Sequence, residues 1–182
     1  RLRRSGSKPH SLMLAHLNIG SNRGDRHALV ARAVALIVER LQPKSCRVST
    51  PVESEPWGFE SEHAFLNIGM DVQLDDMPPE ALLDCLQAIE KEISAMPHRN
   101  SDGSYRDREI DIDIILIDDM RIDSPRLQVP HPRMLERDFV MIPLRELRGE
   151  AGLCQGSRKG CKAVREAQEG IHQPRIISRD GS

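Results

Sequence analysis

The order of secondary structure elements in the sequence predicts an α+β fold with a single antiparallel sheet. Four stretches have the alternating or β-branched pattern of strands, and two have apolar residues spaced three and four apart, as in amphipathic helices. They follow the order strand, helix, strand, strand, helix, strand, which is the split βαβ arrangement. We therefore predict a ferredoxin-like βαββαβ core with helices packed on the sheet, and with the first and last strands side by side at its centre.

Composition limits the classes of protein. The chain has 182 residues and a net charge of −2, and 3% of its residues are aromatic. The length favours one domain, and the near-neutral charge argues against partners such as nucleic acid. No apolar run approaches the roughly 20 residues that span a bilayer, so we expect no membrane association. Four cysteines without zinc or CxxC spacing predict a reducing, cytoplasmic environment. We expect a monomer or a weak dimer.

The two ends of the chain differ from its middle. Residues 1–10 are basic and rich in Ser and Gly, which predicts a disordered leader. Residues 149–182 lose apolar content and periodicity, so we expect a peripheral or disordered tail. The predicted domain is therefore 11–148.

The first three elements follow from local patterns. Ser11–Ile19 alternates as a strand and ends in a Gly-rich stretch, where Gly20 permits either a tight turn or the close approach of a ligand. Arg26–Leu41 has the apolar stripe of a core-facing helix, and Asp25 is its predicted cap. Arg47–Glu53 is predicted to be a short strand.

The next strand and helix complete the repeat. Ala64–Leu74 is a predicted strand with Phe65 and Asn67 on one face. Asn67 either binds a flat polar heterocycle or satisfies a backbone group. Pro78–Met96 is the second predicted helix, because prolines open its first turn and a leucine and isoleucine stripe follows.

A run that begins at residue 110 is apolar and β-branched enough for a buried strand, yet Asp111 and Asp113 interrupt it. Because side chains alternate along a strand, both aspartates lie on one face, about 6.6–6.8 Å apart. Such a pair suits Mg²⁺ that completes its coordination with water and phosphates. Arg106 and Arg108 suit the same phosphates. The alternative is an edge strand with an acidic solvent face.

The segment beyond this strand is less regular. Arg126–Val129 is predicted to be extended. Met134–Leu147 has a turn of helix around Arg137 and Phe139, followed by an apolar stretch that Pro143 interrupts.

These features resemble the 6-hydroxymethyl-7,8-dihydropterin pyrophosphokinase family, enzymes of folate biosynthesis that transfer pyrophosphate from ATP to a pterin alcohol. The resemblance covers roughly Ser11 to Leu147 and rests on four motifs in the family's order. They are Ile19-Gly20-Ser21-Asn22; Glu55-Pro56-Trp57-Gly58 followed by Phe65-Leu66-Asn67; Asp107-Arg108-Glu109-Ile110-Asp111-Ile112-Asp113; and Val129-Pro130-His131-Pro132-Arg133-Met134 with Arg137 and Phe139.

The resemblance implies ATP as co-substrate and two Mg²⁺ ions held by Asp111 and Asp113. It also implies that the pterin lies between the rings of Phe65 and Phe139, and it assigns three sets of residues. The implied catalytic residues are Arg99, Arg108, Asp111 and Asp113. The implied pterin-binding residues are Gly20, Ser54, Glu55, Trp57, Phe65, Asn67, Asp111 and Phe139. The implied ATP-binding residues are Gln87, Glu90, Arg108, Ile114, Arg126, Gln128, His131 and Arg137.

The sequence departs from the family at the expected lid loop. The family usually has a Gly-Arg-x-Arg-Lys run there, whereas residues 96–100 offer Arg99 and no lysine, and Tyr105 replaces a common tryptophan. One alternative function is therefore a noncatalytic relative that binds pterin and nucleotide. A less favoured one is a nucleic-acid-binding module on the same fold, which the low aromatic content and the paired acids oppose.

Overall fold

The computed structural model describes residues 11–55, 64–94 and 109–152. The predicted leader, the tail beyond 152 and the lid loop around 97–105 lie outside these residues. The strands are β1 Leu12–Ser21, β2 Ser45–Val48, β3 Val52–Ser54, β4 Phe65–Asp75, β5 Asp111–Ile117, β6 Ile122–Asp123 and β7 Gln128–Val129. The helices are α1 Arg26–Leu41, α2 Pro79–Ile93 and α3 Asp138–Gly152, with a 3₁₀ turn at Met134–Glu136.

The main sheet has the strand order β2-β4-β1-β5, and β3 also pairs with β4. All these pairings are antiparallel, which confirms the predicted α+β fold. The first and last core strands, β1 and β5, are neighbours as predicted. Placing both at the centre was wrong, because β4 and β1 occupy the centre and β5 ends the described sheet. β4 is buried along almost its whole length and gains most from central pairing, whereas the partly exposed aspartates of β5 need an accessible edge.

The two amphipathic helices pack on one face of the sheet. α1 spans the predicted residues, and the Asp25 carboxylate caps it by accepting a hydrogen bond of 3.0 Å from the Ala28 amide. α2 begins after Pro78 and ends at Ile93, because Ser94 adopts an extended conformation. The buried residues of the helices are Val30, Ala33 and Ile37 in α1 and Leu82, Leu86, Ile89 and Ile93 in α2. They form the larger apolar core with β1, β4 and β5.

β1 is longer than the sequence pattern predicts. Gly20 and Ser21 belong to the strand and pair with Asn67 and Leu66 of β4. The turn lies further on, where Gly24 has a φ of 62°. Two interpretations of Gly20 were possible from the sequence. The structure favours the close approach of a ligand to the backbone at this residue over a tight turn.

The predicted strand Arg47–Glu53 is two strands, β2 and β3. Pro51 lacks an amide hydrogen and cannot continue a ladder. Before it, Ser49 makes two bonds to Gly69, donating its amide to the Gly69 carbonyl and accepting the Gly69 amide at its hydroxyl, each at 2.9 Å. The hydrogen bond to the Ser49 hydroxyl replaces a backbone bond of the regular ladder, so the strand is interrupted at Ser49.

The stretch that Pro143 was expected to interrupt is instead the helix α3, which covers the second face of the sheet. Its apolar side chains join Ile115 in a smaller core cluster. Pro143 packs on the sheet at Gly69, where an added Cβ would meet the Pro143 Cβ at 2.7 Å, so the glycine lets α3 approach β4 closely. Gly149, with a φ of 61°, interrupts the helix near its end. None of the described helices is long and apolar enough to cross a membrane.

A buried polar cluster ties α3 to the sheet. Asp71 of β4 accepts hydrogen bonds from His16 Nδ1 at 2.7 Å and from Arg148 of α3 at 3.1–3.3 Å, and Arg47 approaches at 3.3 Å. Burial alone would raise the pKa of Asp71, but the hydrogen bonds of His16 and Arg148 outweigh it and lower the pKa to about 2. Burial lowers the pKa of His16 below its usual value, although the bond to Asp71 opposes the shift. Asp71 is thus a buried anion that anchors α3.

Candidate active site

Two cavities meet at the same pair of carboxylates. The first has a volume of about 100 Å³ and is lined by Asn18, Gly20, Ser54, Glu55, Phe65, Asn67, Asp111, Asp113, Arg137 and Phe139. The second has a volume of about 470 Å³ and is lined by Leu83, Gln87, Glu90, Asp111, Ile112, Asp113, Ile114, Ser124, Pro125, Arg126, Leu127, Gln128, His131 and Pro132. Asp111 and Asp113 border both.

The register of β5 fixes the two aspartates. Asp111 pairs with Gly20 of β1 and Asp113 with Asn18, so the carboxylates share the face that the alternation predicts. β5 does end the described sheet, but both aspartates line cavities rather than forming an acidic solvent face. On the open side of β5, Glu90 of α2 accepts the Ile112 amide at 2.6 Å. This bond holds the backbone between the two aspartates.

Arg137, at the start of α3, lies between the aspartates and an aromatic ring. Its Nη1 is 3.9 Å from Asp113 Oδ2, and its guanidinium carbon is 5.6 Å from the centroid of Phe139. Arg137 therefore offsets part of the negative charge and links it to the ring at the mouth of the first cavity. Asp111 and Asp113 supply hard oxygen donors on a rigid strand, so this donor set fits Mg²⁺.

The floor of the first cavity is open because residue 20 is glycine. A Cβ there would lie 2.7 Å from Asn67 Oδ1 and 3.5 Å from Phe65 Cδ1. Asn67 Nδ2 donates to Ser54 Oγ at 2.8 Å, which fixes the amide with its oxygen over Gly20. Ser54 thus orients Asn67, and the cavity presents an acceptor beside an aromatic ring.

The second cavity lies between α2, β5 and the β6–β7 hairpin. Arg126 pairs with Asp84 of α2 and Gln128 donates to Asp123 at 3.0 Å. His131 Nδ1 accepts the Arg133 amide at 3.1 Å, so the neutral ring carries its proton on Nε2. Burial, followed by the nearby charge of Arg137, lowers the pKa of His131.

The structure groups most of the residues that the sequence analysis singled out. The first cavity contains every member of the implied pterin set except Trp57, which lies outside the described residues, as do Arg99 and Arg108. The second contains the implied ATP set apart from Arg108 and Arg137. Arg137 instead lines the first cavity, near Asp113.

Sequence analysis missed Asn18. Its oxygen is buried without a hydrogen-bond partner among the described residues, and the side chain lines the first cavity. The sequence holds one signal for Asn18. This polar residue alternates with the apolar residues of β1, so it lies on the opposite face of the strand together with His16 and Gly20. That face is polar in the sequence because it carries the site under α3, and not because it faces solvent.

Comparison with known proteins identifies relatives. Residues 16–149 match the family described as 7,8-dihydro-6-hydroxymethylpterin-pyrophosphokinase (HPPK). The 2-amino-4-hydroxy-6-hydroxymethyldihydropteridine pyrophosphokinase of Porphyromonas gingivalis is 40% identical over 137 residues, which cover 75% of this chain and 91% of the relative. The Bacillus subtilis enzyme of the same name is 34% identical over 158 residues, covering 87% and 88%.

A solved structure shares the fold. The wild-type Plasmodium falciparum HPPK-DHPS, crystallised with pteroate, superposes with a TM-score of 0.58 at 14% identity. The match covers 91% of this chain and 45% of the Plasmodium chain, so the present chain spans about half of that longer protein.

Proposed function

Because the chain belongs to the 7,8-dihydro-6-hydroxymethylpterin-pyrophosphokinase family, we propose that it transfers pyrophosphate from ATP to 6-hydroxymethyl-7,8-dihydropterin. The products are the pterin diphosphate and AMP, a step of folate biosynthesis. The observation that carries the proposal is the meeting of two cavities at Asp111 and Asp113. A transfer between two bound molecules requires such a junction, because the reacting atoms must come within about 3–3.5 Å.

The first cavity suits the pterin. Phe65 and Phe139 line it, and aromatic rings are suited to stacking on a flat heterocycle. Asn67 Oδ1 faces the cavity above Gly20 and accepts a hydrogen bond from the amino and amide edge of the ring. Ser54 holds that oxygen in place from behind, so recognition of the ring is preorganised.

The second cavity suits ATP, and its larger volume fits the larger substrate. Gln87, Ile114, Arg126 and His131 all line this cavity. We assign Gln87 and Ile114 to adenine and ribose, and Arg126 and His131 to the phosphates. Arg126 exchanges Asp84 for phosphate in this proposal. His131 donates from Nε2, because its Nδ1 already accepts the Arg133 amide.

Asp111 and Asp113 would hold two Mg²⁺ ions, which would neutralise the phosphate oxygens and polarise the β-phosphorus. Arg137, near Asp113, adds a fixed positive charge beside them. The acceptor hydroxyl attacks the β-phosphorus in line with the bridge to the α-phosphate, and that bridge breaks to release AMP. No side chain forms a covalent intermediate, and the protein acts by positioning and charge stabilisation.

The test is to incubate the protein with ATP, MgCl₂ and reduced hydroxymethylpterin and to resolve the nucleotides by chromatography. We expect AMP to appear in step with a diphosphorylated pterin. ADP would indicate an ordinary kinase. Unchanged ATP, together with calorimetric binding of both ligands, would favour the noncatalytic relative that the altered lid sequence suggests.

A further inference from the structure

We propose that Asn18 binds the acceptor alcohol, with its Oδ1 accepting the hydrogen bond of the substrate hydroxyl. This inference rests on the proposed function and adds to it a residue outside the motifs that carry the family resemblance. It concerns the reacting end of the pterin and not the recognition of its ring.

Asn18 is buried in the wall of the first cavity. The residue is 4% exposed, and its Oδ1 has no hydrogen-bond partner among the described residues, although it lines the first cavity. Buried acceptors without a partner are rare and destabilise the folded state. An unpaired oxygen at a cavity wall is therefore best explained by a ligand that brings the donor.

The described side chains around Asn18 do not donate a hydrogen bond to its oxygen. Asn18 pairs with Asp113 on one side and with Gly69 on the other, and both neighbours lack a side-chain donor. His16, two residues earlier on the same face, uses Nδ1 for Asp71, and its pKa is lowered, so its Nε2 is an acceptor. Arg137 directs Nη1 toward Asp113. None of these described neighbours donates a hydrogen bond to Asn18 Oδ1, so we assign its donor to the substrate.

The position of Asn18 along the first cavity identifies that donor. Asn67, which faces Gly20, marks the end of the cavity that accepts the amide edge of the ring. Asn18 lies two residues from Gly20, about 6.6–6.8 Å along the strand, and is opposite Asp113. The hydroxymethyl group projects from the other end of the bicyclic ring, toward the carboxylates. The substrate group beside Asn18 is thus the hydroxyl.

Such a bond has a consequence for the reaction. A hydroxyl that directs its hydrogen to Asn18 leaves its oxygen lone pairs available to the β-phosphorus. An amide oxygen is too weak a base to take the proton, so Asn18 orients the nucleophile. As the new O–P bond forms, the bridge to the α-phosphate breaks and its electron pair stays on the α-phosphate oxygen of AMP, while the hydroxyl proton leaves Asn18 and passes to solvent water.

The test compares 6-hydroxymethylpterin with 6-methylpterin, which lacks only the hydroxyl. Calorimetry is done with MgCl₂ and a nonhydrolysable ATP analogue on the wild type, Asn18→Ala and Asn18→Leu. Leu keeps the branched shape of Asn without its polar atoms, although it is larger, so one variant remains informative if the other fails to fold. We expect the wild type to prefer the hydroxymethyl compound about tenfold, the value of one hydrogen bond, and both variants to lose this preference.

The matched control is Ser94→Ala, which removes another buried, unpaired oxygen away from both cavities. It should keep the wild-type preference, and Asn18→Ala should melt no lower than the wild type. A variant that weakens both pterins equally, or neither, would overturn the inference, as would a wild type that binds both equally. A wild type that binds neither pterin would contradict the proposed function itself.

Discussion

The two faces of the sheet differ in what their side chains do. The face under α1 and α2 is filled by aliphatic side chains from both helices and from the strands between them. The face under α3 has a smaller apolar cluster, and it also carries Asp71, His16, Asn18 and the two aspartates of β5. The face under α1 and α2 therefore supplies most of the stability of the fold. The second face, under α3, has less apolar packing, and in its place carries polar groups that a ligand can contact.

The largest expected effect is on the second face. Asp111→Asn or Asp113→Asn should lower the rate of pyrophosphate transfer by at least about a hundredfold, because each removes a charge that would hold the proposed cations. Asp111→Asn should not melt at a lower temperature, since the repulsion between the carboxylates is relieved, whereas Asp113→Asn also loses its ion pair with Arg137 and should gain less stability.

The matched control is Asp119→Asn, which makes the same change of charge just beyond β5 and should leave transfer unchanged. If Asp111→Asn unfolds or keeps near-normal turnover, the separation of stability from function on this face is wrong.

Truncating a buried side chain in each of the two apolar cores should lower stability in both cases, but should change the KM for pterin in only one. Ile37→Ala on α1 and Leu144→Ala on α3 each remove a fully buried side chain and should lower the free energy of unfolding by about 2–5 kcal/mol in urea titrations. Only Leu144→Ala should raise the KM for pterin, because α3 also carries Phe139. Equal changes in KM would mean that the two faces do not differ in this way.

Acid should destabilise the second face in two stages. The lowered pKa of His16 means that the unfolded chain binds a proton that the folded chain does not, so stability falls below about pH 6.5. The pKa of Asp71, lowered to about 2, adds a second loss as pH falls from about 4 to about 2. This second stage is worth about 2 kcal/mol.

Asp71→Asn should abolish the second stage and lower stability at neutral pH by a similar amount. Urea unfolding at a series of pH values measures both. A wild type whose free energy of unfolding is flat between pH 4 and 2 would contradict the charged state assigned to Asp71.

The smallest expected effects come from two glycines on adjacent strands, one of which should affect ligand affinity and the other the stability of the fold. Gly20→Ala would place a methyl group against Asn67 Oδ1, so the amide must shift and pterin affinity should fall about tenfold. Gly69→Ala would instead press on Pro143 and His16 and should cost about 1–3 kcal/mol of stability. Calorimetry and urea unfolding on both variants test the pair, and a Gly20→Ala variant with wild-type pterin affinity would contradict the open floor.

Local patterns were sufficient for the helices α1 and α2 and for the two aspartates. The stripes of α1 and α2 and the alternation around Asp111 and Asp113 depend on neighbours in sequence, so period and spacing predicted them. The Ser54 to Asn67 hydrogen bond is different, because it joins residues from two strands and has no local pattern.

Long-range contacts account for the errors. α3 forms although Pro143 lies within it, and Gly69 on a distant strand lets the proline ring pack closely on the sheet. If α3 is not predicted, the polar residues of β1 have the sequence pattern of a strand face exposed to solvent. For this reason the sequence analysis did not identify Asn18 or the His16–Asp71 pair. β5 was misplaced at the centre because pairing order depends on which strands are buried on both faces.

If the proposed function is correct, the shared position of Asp111 and Asp113 couples binding in the two cavities. A cation at these carboxylates would act electrostatically on ligands on both sides, so occupation of one cavity would change the affinity of the other. Thermodynamic linkage then requires that the factor by which nucleotide strengthens pterin binding equals the factor by which pterin strengthens nucleotide binding. The order of addition can alter the rate of assembly of the ternary complex, but not its free energy.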